Sequence, residues 1–167
     1  MAINYKYNRD YLYLKKRKLN ILIVDDDINS LNLFKEILEL RGHNAVILDE
    51  GMKCISKCMI NTYDIIFLDY HIGDINGVEL TDCLRDVLHN KSIIFAYTGD
   101  NSKEAINKFK NIGMKGVIIK PIDMNVIDNI INHFEMNFES NFESNEKIIN
   151  NTDKKLKSIV NSVIYFD

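Results

Sequence analysis

The chain has 167 residues, 46% of them hydrophobic and 27% charged, with a formal net charge of −3. That length suits one domain with tails; no apolar run could span a bilayer and no apolar signal core follows the start, so a soluble cytoplasmic protein is expected. The basic residues Lys6, Arg9, Lys15, Lys16, Arg17 and Lys18 crowd the start and leave an acidic body, which argues against nucleic acid as the main partner. The three cysteines do not form a disulfide framework, and no His or Cys pair stands near Cys54 and Cys58 to complete a zinc set.

In chain order, residues 1–19 form a basic leader with Tyr5, Tyr7, Tyr11 and Tyr13. Asn20–Val24 reads as a buried strand. A helix over 29–41 follows, with Ile28, Leu31, Phe34, Ile37 and Leu38 on one stripe and Gly42 placed to end it. Asn44–Leu48 is a second strand, and 52–59 a weaker helix with Ile55 and Met59 inward. The run from Tyr63 to Leu68 is a third strand ending at Asp69, followed by a helix over 78–88. Residues 92–97 form a strand, 102–112 a helix carrying Ala105, Ile106 and Phe109, and Gly116–Ile119 another strand. Asp123 opens a last helix with Val126, Ile127, Ile130 and Ile131 inward. Strands that are apolar throughout are covered on both faces. Alternation with helices gives an α/β domain over 20–138: a doubly wound, five-stranded parallel sheet in the order 2-1-3-4-5. In the extension 139–167, Ile149, Leu156, Ile159, Val160 and Val163 fit one helical face. That helix would pack on the domain or pair with a second chain, giving a possible homodimer.

Ligands of such sheets bind outside the carboxyl ends of the strands. Those ends carry Asp25, Asp26 and Asp27, then Asp69, Thr98 and Lys120. Clustered carboxylates repel by roughly 4 kcal/mol per pair at about 4 Å and an effective dielectric of about 20. A divalent cation relieves this from one side and Lys120 from the other. A carboxylate so neutralised can take a phosphoryl group, with Thr98 donating to a phosphoryl oxygen. Gly73 and Gly77 allow a tight turn behind Asp69. Asp27 is read as a cap of the first helix.

These motifs, Ile21 to Asp27, Asp69 with Gly77 eight residues on, Tyr97-Thr98-Gly99 and Lys120-Pro121, make the stretch 20–134 resemble the receiver domain of two-component response regulators. The resemblance implies a flavodoxin-like fold and Asp69 as phosphoacceptor. It implies Mg²⁺ (or Mn²⁺) held by Asp25, Asp26, Asp69 and the main-chain carbonyl of His71, Thr98 as switch hydroxyl, Lys120 as phosphate contact and a cis Lys120–Pro121 bond. The implied partners are a histidine kinase or histidine phosphotransfer protein and an unknown downstream protein. No DNA-binding domain is expected, and any enzymatic activity is limited to slow self-phosphorylation and self-dephosphorylation. The chain departs from the family at Gly73, where proline is usual and where a looser loop is expected. It departs again at Val117, where an aromatic switch is usual. Asp100 and His71 flank the phosphoryl position and are expected to tune phosphate lifetime. Two other readings stand beside this one: a receiver-like module for binding or dimerisation, and a haloacid-dehalogenase-type phosphatase with Asp25 as nucleophile.

Overall fold

The computed structural model describes residues 17–140 and 163–166. Its elements are β1 (Asn20–Val24), α1 (Ile28–Leu40), β2 (Asn44–Leu48), α2 (Gly51–Ile60), β3 (Ile65–Leu68), β4 (His71–Ile72), β5 (Ile75–Asn76), α3 (Gly77–Asp82), β6 (Ile93–Thr98), α4 (Lys103–Asn111), β7 (Gly116–Ile119), α5 (Met124–Ser140) and β8 (Val163–Tyr165). A π-helical turn, Cys83–Val87, continues α3.

The main sheet runs β2-β1-β3-β6-β7-β8. Its first five strands are parallel, in the expected order, and form the flavodoxin-like doubly wound core. Strand alternation sorts the core into two layers. Ile21, Ile23, Phe67, Phe95, Tyr97 and Ile118 face α1 and α5. Leu22, Val24, Ile66, Leu68, Ala96 and Val117 face α2, α3 and α4. Short polar side chains start the helices: Asp27 accepts from the Asn29 amide at 3.0 Å, Asn76 from Glu79 at 2.9 Å and Ser102 from Ala105 at 3.2 Å. Gly42, at φ +85°, closes α1.

Several expectations are corrected. The sheet has six strands, because β8 pairs antiparallel with β7. Val163 therefore sits in a strand and not on a helical face; the apolar residues from Ile149 to Val160 lie outside the described residues, as do the leader tyrosines. Ile28 and Met59 are exposed, at 53% and 68%, although the stripes placed them inward. Each lies at the end of its stripe, beyond the area the sheet covers. Leu19, assigned to the leader, is fully buried, and its carbonyl accepts from the Asn44 amide. The segment behind Asp69, expected to be loose at Gly73, is a two-strand hairpin, β4–β5. Among the described residues, no helix is long and apolar enough to cross a membrane.

Candidate functional site

Strand register assembles the site. Val24 pairs with Leu68 across β1 and β3, so the next residues, Asp25 and Asp69, emerge abreast. The Asp69 amide donates to the Val24 carbonyl at 2.9 Å. On the other side, Leu68 pairs with Ala96 and Thr98 with Ile119, which delivers Thr98 and Lys120 to the same rim. The Lys120 amide donates to the Thr98 carbonyl at 2.9 Å, and the Lys120–Pro121 bond is cis.

Carboxylate oxygens of Asp25, Asp26 and Asp69 lie within 4.8 Å of one another. Asp25 is fully buried and Asp69 nearly so, while Asp26 opens to solvent. The Lys120 ammonium donates to Asp69 Oδ2 at 2.9 Å and stands 2.5 Å from Asp25 Oδ2. Asp25 Oδ1 accepts from the Asp27 amide at 2.9 Å. Asp25 Oδ2, by contrast, is buried and receives no directed hydrogen bond; the charge of Lys120 alone compensates it. Three carboxylates converging within 4.8 Å, one of them open to solvent, fit a divalent cation, which asks for oxygen ligands and retains waters.

Burial pushes the Asp69 carboxyl above the usual carboxylate range, and the Lys120 hydrogen bond does not fully reverse it. For Lys120, burial works against the ammonium, but its contacts with the Asp25 and Asp69 carboxylates outweigh that and hold it above an ordinary amine. The site is thus a buried anion pair clasped by one cation.

The remaining predicted residues surround this centre. Thr98 is buried, and its hydroxyl oxygen accepts from the Asp100 amide at 3.2 Å. Asp100 in turn accepts from the Ser102 amide, which draws its carboxyl below the usual range. His71 is exposed on the hairpin, its ring 4.5 Å from that of Tyr70. Gly77 is required by space: a Cβ there would stand 2.5 Å from the Asp69 carbonyl oxygen. Gly73 meets nothing within 4 Å, so no such constraint operates on it. Val117 is fully buried in the layer opposite Tyr97.

Two contributors were not picked out from sequence. Tyr97 places its ring 5.0 Å from the Lys120 ammonium and its hydroxyl 3.2 Å from Ser30 Oγ, a cation–π support for the clasp. Its place in a buried strand next to Thr98 was the available signal, but alternation pointed it away from the rim. Asp74 accepts from the Gly51 and Met52 amides, both at 2.9 Å, tying the hairpin to the start of α2. No sequence signal joins residues so far apart.

The family model for the response regulator receiver domain matches residues 21–132. The chain belongs to that family. Curated relatives include the CAI-1 autoinducer sensor kinase/phosphatase CqsS of Vibrio cholerae, 30% identical over 126 residues, which make up 73% of this chain and 18% of that protein. The sensor histidine kinase AruS of Pseudomonas aeruginosa is 28% identical over 110 residues, 64% of this chain and 11% of that protein. The receiver thus spans less than a fifth of the length of these relatives. Among solved structures, a two-component response regulator from Clostridium difficile is 26% identical with a TM-score of 0.66, covering 70% of this chain and 95% of that one. The receiver domain of Saccharomyces cerevisiae Ssk1, solved with the histidine phosphotransfer protein Ypd1, gives a TM-score of 0.67 at 20% identity over 73% of this chain and 92% of the other. This receiver domain is accordingly of the response-regulator type found in phosphorelays, with an acidic cluster that could bind a metal.

Proposed function

We propose that Asp69 accepts a phosphoryl group from a phosphohistidine donor and that Asp25, Asp26, Asp69 and the His71 carbonyl hold a Mg²⁺ ion for that transfer. One arrangement carries the reading: a nearly buried carboxylate, abreast of a second buried carboxylate, with one ammonium spanning both. Burying such charges costs more than an apolar core of the same volume would. When bound, the cation neutralises carboxylate and phosphoryl oxygens, the chemistry that phosphoryl transfer demands.

A carboxylate oxygen of Asp69 forms the new bond to phosphorus. The bond from phosphorus to the donor imidazole nitrogen breaks, and that nitrogen keeps the electron pair. Lys120, freed from part of its contact with Asp69, turns its protons to the phosphoryl oxygens, and the Thr98 hydroxyl donates to another. The donor class is supported by the sensor-kinase relatives and by the phosphotransfer complex of the Ssk1 receiver. The output is contact with a downstream protein. The chain acts as a phosphoacceptor, its own activity being slow self-phosphorylation and self-dephosphorylation. Intact-mass measurement after acetyl phosphate treatment tests this. Wild type gains one phosphoryl group with Mg²⁺ and none with EDTA, and Asp69→Asn gains none in either; labelling of Asp69→Asn, or of wild type without metal, rejects the assignment.

A further inference from the structure

β7 ends the parallel part of the sheet, and without β8 its outer edge would stand open. An open edge of residues such as Gly116-Val117-Ile118-Ile119 is a template for any extended chain. The chain's own C-terminal residues fill it. Tyr165 lies opposite Gly116, Ile164 opposite Val117 and Val163 opposite Ile118, and the Phe166 amide donates to the Lys115 carbonyl at 2.9 Å. Alternation divides the anchors between the two layers. Val163 joins the layer beneath α1 and α5, and Phe166 joins the layer containing Val117. The Tyr165 ring lies 6.1 Å from that of Phe95 and 5.7 Å from that of His133.

Gly116 marks the edge as shaped for a strand. A Cβ at this position would stand 2.5 Å from the Ile164 carbonyl oxygen and 3.2 Å from the Tyr165 Cα. The other near neighbour is the Phe95 ring, also at 3.2 Å. Glycine here is matched to an incoming backbone more than to the domain's own packing. The seat is shallow, however. Val163 and Phe166 are buried, whereas Ile164 and Tyr165 remain 38% and 40% exposed. A short outer strand with two anchors is the kind of element that opens before the core does.

We propose that residues 163–166 are an intrasteric strand: they occupy a strand-addition site on β7 and, when displaced, leave it to an extended partner segment with apolar or aromatic residues at alternate positions. Main-chain hydrogen bonds would supply the binding, and alternate side chains the selection. Because the tail is tethered, it competes at an effective concentration in the millimolar range, so a partner must bind better or the tail must first be loosened. The proposal does not rest on phosphorylation of Asp69, and Gly116, Val163 and Phe166 lie outside that site.

The full chain tests this. It contains no Trp, so Tyr165→Trp reports the seating of the tail. Its emission should shift to the red when Val163→Asp and Phe166→Asp are added. A fluorescein-labelled peptide of residues 161–167 should then bind the full chain carrying Val163→Asp and Phe166→Asp at least about tenfold more tightly than wild type. Adding Gly116→Val to that variant should abolish the binding. Equal binding to wild type and variant, or no binding to the folded variant, overturns the proposal, since β8 would then be a fixed member of the sheet. Should the double substitution fail to fold, excess unlabelled peptide must still red-shift the Tyr165→Trp chain, and an unmoved emission also overturns it.

Discussion

Replacing Lys120 by methionine keeps the length of the side chain and removes the charge that clasps Asp25 and Asp69. The two carboxylates, with oxygens within 4.8 Å, then face each other uncompensated. At that separation and an effective dielectric of about 20, the repulsion is roughly 3–4 kcal/mol, in line with the 3–5 kcal/mol typical of breaking a buried pair. Proton uptake limits the loss. Burial already holds the Asp69 carboxyl above the ordinary range, and loss of Lys120 raises it further. A carboxyl raised in the folded state contributes stability at low pH that disappears as pH rises through its folded value. Urea unfolding of Lys120→Met without metal should therefore show a deficit of about 3 kcal/mol at pH 8 and a smaller one at pH 5.5. With about 10 mM Mg²⁺, the variant should regain at least about 1 kcal/mol more than wild type gains, since the ion supplies the missing charge. A variant as stable as wild type in EDTA, or an equal response of both proteins to Mg²⁺, would refute this account of the site.

Three further outcomes are expected. Gly77→Ala drives a Cβ against the Asp69 carbonyl; it should cost about 1–3 kcal/mol and slow acetyl phosphate labelling, and unchanged labelling with unchanged stability would show that the contact does not matter. Asp74→Ala removes the acceptor for the Gly51 and Met52 amides and should cost about 1 kcal/mol at neutral pH, as loss of a cap does. Those amides hold the Asp74 carboxyl below the usual range, so its contribution is present above the ordinary carboxylate value and lost as pH falls through the depressed one; thermal melts of both proteins should converge in acid. Finally, Asp100→Ala and His71→Ala should each change the lifetime of the phosphorylated protein, read by intact mass over time, and identical decay curves would remove both residues from that role.

The parallel sheet, its strand order and the rim of Asp25, Asp69, Thr98 and Lys120 were legible because each rests on a local signal: an apolar run followed by a polar end. That Lys120 offsets the carboxylates was legible too, but its direct contact with Asp25 was not, since that depends on register across two intervening strands. Ile28 and Met59 misled because periodicity tells which way a residue points, not how far the covering sheet extends. Residues 163–166 misled for a different reason. Val163 completed a helical stripe with Ile149, Leu156, Ile159 and Val160, yet Val-Ile-Tyr-Phe is also a β-branched and aromatic run. The vacant edge of β7 decided between those readings, and an edge is a property of the assembled sheet.

The hairpin behind Asp69 is fastened at two points. Gly77 rests against the Asp69 carbonyl, and Asp74 grips the first turn of α2 through two backbone amides. The backbone of Asp69 and the start of α2 are therefore joined by a short bracket rather than by a slack connector. The outer side of that helix presents Met52, Met59 and Ile60 to solvent. That bracket thus lies between Asp69 and an apolar surface on α2, the helix that packs beside β2 at the edge of the sheet opposite β7.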